Sequence, residues 1–350
     1  MGSASRLCIV LLCCLLTTTA SAQRETFRIA WSIYVGWMPW GYAAEQGIVD
    51  KWAEKYDINI EVVQINDYIE SINQYTAGAF DGCVMTNMDM LTIPAVSGVD
   101  STALIVGDFS NGNDGIVLKD ASELAAIEGR DVNLVELSVS HYLLARALES
   151  VDLSERDITV VNTSDADIVA AFAAPDTTAV VTWNPQLSEV AAMDGAARVF
   201  DSSQIPGEII DLLVVNSETL NENPALGKAL VGAWYETMAI MAGDDEAARE
   251  ARAAMGEAAG TDLAGYEAQL ATTQMFFQPA EAVTFTESPQ LIQTMDYVRE
   301  FSFEHGLMGP GADIDFVGMS FPGGETLGNP DNITLRYTTE YMQMATDGEL

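Results

Sequence analysis

The sequence predicts an α/β protein of two doubly wound lobes joined by a hinge. Three observations predict it. Short apolar or alternating runs recur between segments of helical period, which is the β-α-β order of a largely parallel sheet with helices on both faces. That order restarts after Lys119, so the middle third reads as a lobe inserted into the first. Two crossings, near Asn111 to Ile116 and near Asp211 to Asn216, would connect the two and form the hinge. The expected division is 23–115 with 216–350 for lobe 1, and 116–215 for lobe 2.

The first residues read as a leader. Arg6 is a positive start, Cys8 to Leu16 is an apolar core, and Ala20-Ser21-Ala22 is a small-residue cleavage site, so 1–22 reads as a secretory signal peptide. The apolar run is too short for a good membrane span. Phe27 to Trp31 is the first strand, followed by an aromatic-rich loop and a helix near Gly41 to Tyr56. Ile58 to Val63 alternates as a strand. A helix from about Tyr68 to Ala79 carries Tyr68, Ile72 and Tyr75 at helical spacing. Gly82 to Thr86 is a strand, Met88 to Ser97 a helix, and Thr102 to Gly107 and Gly115 to Leu118 are strands. The second lobe runs helix near Ser122, strand Val132 to Val135, helix Ser138 to Ser150, strand Ile158 to Val161, helix Asp165 to Ala174, strand Ala179 to Thr182 and helix Pro185 to Met193. Ile209 to Val215 reads as a strand returning to the first lobe. From Pro224 the chain is mostly helical, ending in a Gly/Pro-rich stretch and a short helix near Thr339.

Composition excludes several functions. The chain has 15 basic and 52 acidic residues, a net charge of −37. Nucleic acid and anionic membrane surfaces are excluded as partners by that sign. The acids are spread over the whole chain, which fits a hydrated, salt-adapted surface more than steering of cations. Cys83 is the only cysteine after the leader, in a strand, and reads as a buried inert thiol. The two histidines, His141 and His305, have no second His or Cys at ligand spacing, so no metal site and no cofactor are expected. His305 precedes Gly306 and reads as a helix C-terminal residue. No phosphate loop, dinucleotide fingerprint or nucleophile motif is present, so nothing marks an enzyme.

Binding residues gather where strands end. In open α/β sheets ligands sit beyond the carboxyl ends of strands. Trp31, Trp37 and Trp40 follow the first strand with Tyr34 and Tyr42. Trp40 reads as packing between helix and sheet, whereas Trp31 and Trp37 are placed for the cleft. Asn87 and Asp89 follow the third strand, where Asp89 reads equally as a helix cap. Asp108 and Ser110 end the fourth. Glu136, Ser138, Ser140 and His141 open a helix, and Glu136 offsets the anion preference of its N-terminus. Trp183 and Asn184 end a further strand, and Asp211 stands at the return crossing. No Lys or Arg falls within these motifs, and an oxyanion site needs one or a set of exposed helix N–H groups. Acids beside indoles point to a small polar cation.

These motifs carry a family resemblance. Ala43 to Ile48, Thr76 to Asp81, Ser138 to Leu148 and Val181 to Pro185 resemble periplasmic substrate-binding proteins of ABC importers, in the group of nitrate, sulfonate, taurine and thiamine-precursor binders. Gly107 to Gly115 and Val135 to Ser138 resemble the subgroup linked to urea carboxylase gene clusters. The resemblance implies a type II periplasmic binding protein, a monomer in the periplasm. It would close on a small planar ligand and deliver it to an ABC permease and its ATPase. Guanidinium is the first expected ligand and urea the second. Sulfonate, taurine, nitrate or a thiamine precursor are alternatives in the family. A secreted enzyme acting on a small amine is the alternative outside it.

Overall fold

The computed structural model describes residues 24–350, so the expected leader lies outside the described residues. Chain order gives β1 (Thr26–Trp31), β2 (Asn59–Gln64), β3 (Gly82–Thr86) and β4 (Ser101–Ser110), then β5 (Asp114–Lys119), β6 (Asp131–Leu134), β7 (Thr159–Asn162), β8 (Ala179–Trp183) and β9 (Ala196–Asp201). β10 (Ile210–Asn216), β11 (Thr273–Met275), β12 (Gly318–Ser320), β13 (Thr326–Leu327) and β14 (Ile333–Tyr337) follow. β5 to β9 form a five-stranded sheet, and the other nine form the larger one. Each sheet with its helices makes one lobe.

Neither sheet is largely parallel. β1 runs parallel to β2 and β3, but β10 lies antiparallel between β3 and β4. β5 is antiparallel to β8 and β9, while β6 is parallel to β7 and β8. The reason is the double crossing. β-α-β strands end at the cleft, whereas the strand that enters a lobe at each crossing starts there. β5 and β10 therefore run against their neighbours and bring their first residues to the cleft. The chain leaves the larger sheet through 111–113 and returns through 202–209. β10 belongs to the larger sheet, so the sheet boundary falls before Ile210 instead of at 215.

Local chemistry explains the shorter elements. The helix expected over 41–56 is two, Met38–Glu45 and Ile48–Lys55, because Gly47 between them is left-handed (φ 69°). Pro94 lacks an N–H, and the helix expected over 88–97 becomes Asn87–Met90 followed by a π-helical turn, Leu91–Ala95. Asp67 caps helix Tyr68–Thr76, and Ser138 caps helix Val139–Glu149. β9 and β11 to β14 were not expected from the pattern; most are too short to show a period.

The larger lobe packs on indoles. Trp40 stacks on Trp234 with centroids 5.1 Å apart, which is the packing role expected for it. Cys83 is fully buried, and burial pushes its thiol up to about 12, so it is inert. No described helix is long and apolar enough to cross a membrane.

Candidate ligand-binding site

The cleft edges of the two sheets close on one buried cavity. Tyr34, Trp37, Tyr68, Thr86 and Asp211 line it from the larger lobe, and Asp114, Val139 and Trp183 from the smaller. Lining residues of both lobes are buried and Tyr68 meets Trp183 across the gap, so the lobes are closed on it. The aromatic rings form a connected wall. Tyr34 and Trp37 have centroids 4.9 Å apart, Trp37 and Tyr68 5.5 Å, and Tyr68 and Trp183 5.7 Å at 74°. The last contact crosses the cleft. A neighbouring cavity beneath Trp37 is bordered by Asp108, Asp211, Trp40 and Trp234.

Four carboxyl groups are buried here: Asp89, Asp108, Asp114 and Asp211. No Lys, Arg or His lines either cavity. Tyr68 OH donates to Asp89 Oδ2 at 2.6 Å, and Thr86 Oγ1 donates to the same oxygen at 2.7 Å. Tyr34 OH donates to Asp108 Oδ1 at 3.3 Å. Asp89 Oδ1, Asp108 Oδ2 and Asp211 Oδ2 have no partner in the structure. Gly36 makes room for Asp108: a Cβ there would fall 2.7 Å from Oδ2.

A carboxylate out of water and away from a cation holds its proton. Burial pushes Asp114 up to about 7, and Asp89 up to about 6 against the hydrogen bonds that lower it. Burial also raises Asp108, which its neighbours Asp211 and Tyr34 partly offset. Asp211 is raised well above the carboxylate range by burial, then by the charge of Asp108. Tyr34 and Tyr68 are raised by burial and by these acids, so both phenols stay neutral donors. Any of these acids that ionises therefore lacks a positive partner. A cation with several N–H donors would supply one, with the indole and phenol faces as walls.

Of the expected site residues, the structure brings together Trp37, Trp183, Asp89, Asp108 and Asp211. Trp31 packs elsewhere: its indole lies against Gly41, where a Cβ would fall 2.6 Å from the ring. Asn87 ties the return crossing, donating to the Glu208 carbonyl and accepting from the Ile210 amide, both at 3.1 Å. Ser110 Oγ bonds Ser202 Oγ at 2.6 Å and accepts the Asp114 amide, so it joins the two crossings. Ser138 caps its helix, and the Ser140 hydroxyl is buried without a partner. Asn184 caps the next helix by accepting from Ser188. His141 turns away from the cavity to Glu155.

Glu136 does not reach the buried cavity. It is exposed on an outer groove with Asp67, Glu70 and Asp165. The cause is Leu137, whose left-handed turn (φ 63°) separates β6 from the helix and leaves Glu136 outside. Asp114, Tyr34, Tyr68 and Thr86 were not among the expected site residues. Asp114 opens β5, and a reading of carboxyl ends passes over an amino end. A strand that starts with Asp directly after a crossing is the signal that could have found it.

Two mixed sheets joined by two crossings, with the site between them, are the fold of a type II periplasmic binding protein. The chain belongs to the NMT1-like family, whose model matches residues 30–256. It is similar in fold to the alkanesulfonate-binding protein SsuA from Xanthomonas axonopodis pv. citri bound to MOPS (TM-score 0.66, 17% identity, covering 83% of this chain and 96% of that one). It is similar also to the periplasmic nitrate-binding protein NrtA from Synechocystis PCC 6803 (TM-score 0.59, 11% identity, 92% and 99% covered). A desulfurization enzyme, DSZB, shares the fold (TM-score 0.61, 15% identity, 93% and 100% covered). At these identities the likeness is one of fold. No curated protein matches the sequence.

Proposed function

We propose that this protein is the solute-binding component of an ABC importer, a periplasmic monomer that captures guanidinium and delivers it to a membrane permease and its ATPase. One observation carries the ligand: Asp114 and Asp211 line an aromatic-walled cavity with no Lys, Arg or His in its lining, and two more buried acids, Asp89 and Asp108, stand directly behind its Tyr68 and Tyr34. A planar cation with N–H donors on three sides supplies the missing charge, and Trp37 or Trp183 covers its face. The small cavity favours a molecule of a few heavy atoms. The solved relatives whose names specify sulfonate or nitrate support a solute-binding role. An oxyanion in this chain would meet Asp108, Asp114 and Asp211.

Urea is the second reading, and the raised acids favour it. A protonated carboxyl both donates and accepts, as a neutral amide requires. The two ligands part with pH: guanidinium needs ionised carboxyls and binds more tightly as pH rises, whereas urea does not. Calorimetric titration of guanidine, urea, taurine, nitrate and a pyrimidine across pH tests this. Guanidine binding without turnover supports the proposal. Binding of nitrate or taurine alone ends the cationic reading, and product formation would establish an enzyme instead.

A further inference from the structure

The spacing of the two histidines gives no metal motif, yet the fold brings both to one carboxylate. His141, Glu155 and His305 place their ligating atoms within 4.8 Å of one another. His141 lies in the first turn of helix Val139–Glu149, and Glu155 opens a short turn nearby; both belong to the smaller lobe. His305 ends helix Pro289–Glu304, which is anchored on the larger lobe. Its Met295 sulfur receives Asn87 Nδ2 and Tyr337 OH. The cluster therefore spans the two lobes, and none of its three residues lines the cleft cavity.

We propose that these three residues form a divalent transition-metal site of the zinc class, which pins the smaller lobe to helix Pro289–Glu304. Two imidazoles and one carboxylate, with a position left for water, are a donor set for such ions. The orientation of His305 is set as a ligand's would be. The Phe301 carbonyl can only accept, so His305 Nδ1 donates to it at 2.8 Å. That leaves the Nε2 lone pair facing Glu155 Oε2 at 2.7 Å. Two acceptor atoms at that distance need a cation between them, a proton or a metal ion. His141 Nε2 reaches the other oxygen of the same carboxylate. Its Nδ1 accepts the Leu137 amide at 3.1 Å, and coordination through Nε2 requires that amide to turn away. Leu137 is exposed, so water can take up that amide. His141 itself is buried, which separates this cluster from exposed acids that collect cations diffusely.

The test is a titration of chelator-treated protein with Zn²⁺ in excess Mg²⁺, which occupies the acidic surface. Wild type should take up one Zn²⁺ and melt at higher temperature with it. His305→Gln and Glu155→Gln should each weaken binding by about tenfold or more. Co²⁺ on the wild type should give the visible absorption of nitrogen ligation, a readout that does not depend on the variants folding. Absence of Zn²⁺ uptake above the Mg²⁺ background, affinity unchanged from wild type in both variants, or a Co²⁺ spectrum of oxygen ligands alone would overturn the site.

Discussion

Glu208 and Asp211 stand close together at the return crossing, yet the fold treats their charges in opposite ways. Glu208 receives Tyr142 OH at 2.5 Å and Arg146 Nε at 2.9 Å and Nη2 at 3.1 Å. The protein supplies its cation from the Val139–Glu149 helix, and the pair ties the crossing to the smaller lobe. Asp211 faces Asp108 with no cation in the lining. A carboxylate partnered from within reads as structure. One left buried and short of charge destabilises the empty protein and marks where a ligand must act.

The largest expected effect breaks that contrast directly. Asp211→Asn should lower guanidinium affinity by about a hundredfold, within the roughly 2–5 kcal/mol of removing one member of a buried charge pair. It should also raise the melting temperature of the empty protein, because an uncompensated acid is gone. A lower melting temperature with affinity intact would show Asp211 to be structural after all.

Glu208→Gln should do the reverse. Loss of the charge-assisted bonds costs about 1–3 kcal/mol in denaturant unfolding, while guanidinium affinity holds.

The pH dependence separates the two regions again. Asp89 and Asp114 have folded pKa values raised to about 6 and about 7. Their contribution to stability is full below the unfolded carboxylate pKa and is lost as pH rises through these values. The melting temperature of the empty protein should therefore fall between about pH 4, the unfolded carboxylate value, and about pH 7, and level off above it. Saturating guanidine should flatten that fall. An unchanged slope with guanidine would deny that the ligand meets these acids.

Smaller effects sharpen the picture. Trp183→Leu should weaken guanidinium by about tenfold, within the roughly 0.5–2 kcal/mol of a cation over an indole face. Glu136→Gln should leave affinity unchanged within about twofold, since an exposed charge in salt acts weakly at a distance. A large loss there would return Glu136 to the ligand.

Legibility followed chain direction. Asp108 and Trp183 end strands and were found by the rule that ligands sit at carboxyl ends. Asp114 begins one and was missed. Glu136 follows β6 by two residues and was expected to matter, but one left-handed residue, Leu137, turns it outward. Trp31 ends β1, yet the absent Cβ of Gly41 draws its ring under the first helix. His141 and His305 lie far apart in sequence, and only packing of two helices from different lobes joins them.

The residues alone determined the class of protein: repeated β-α-β units, a second lobe inserted into the first, and a cleft without basic motifs. Hydrophobic period, capping residues and charge are local, and local patterns survive in a linear chain. The tertiary structure alone decided which acids lose water together, which strands run backwards at the crossings, and which histidines share a carboxylate. Those properties depend on distances between segments remote in sequence, and burial and charge coupling arise only when the lobes close.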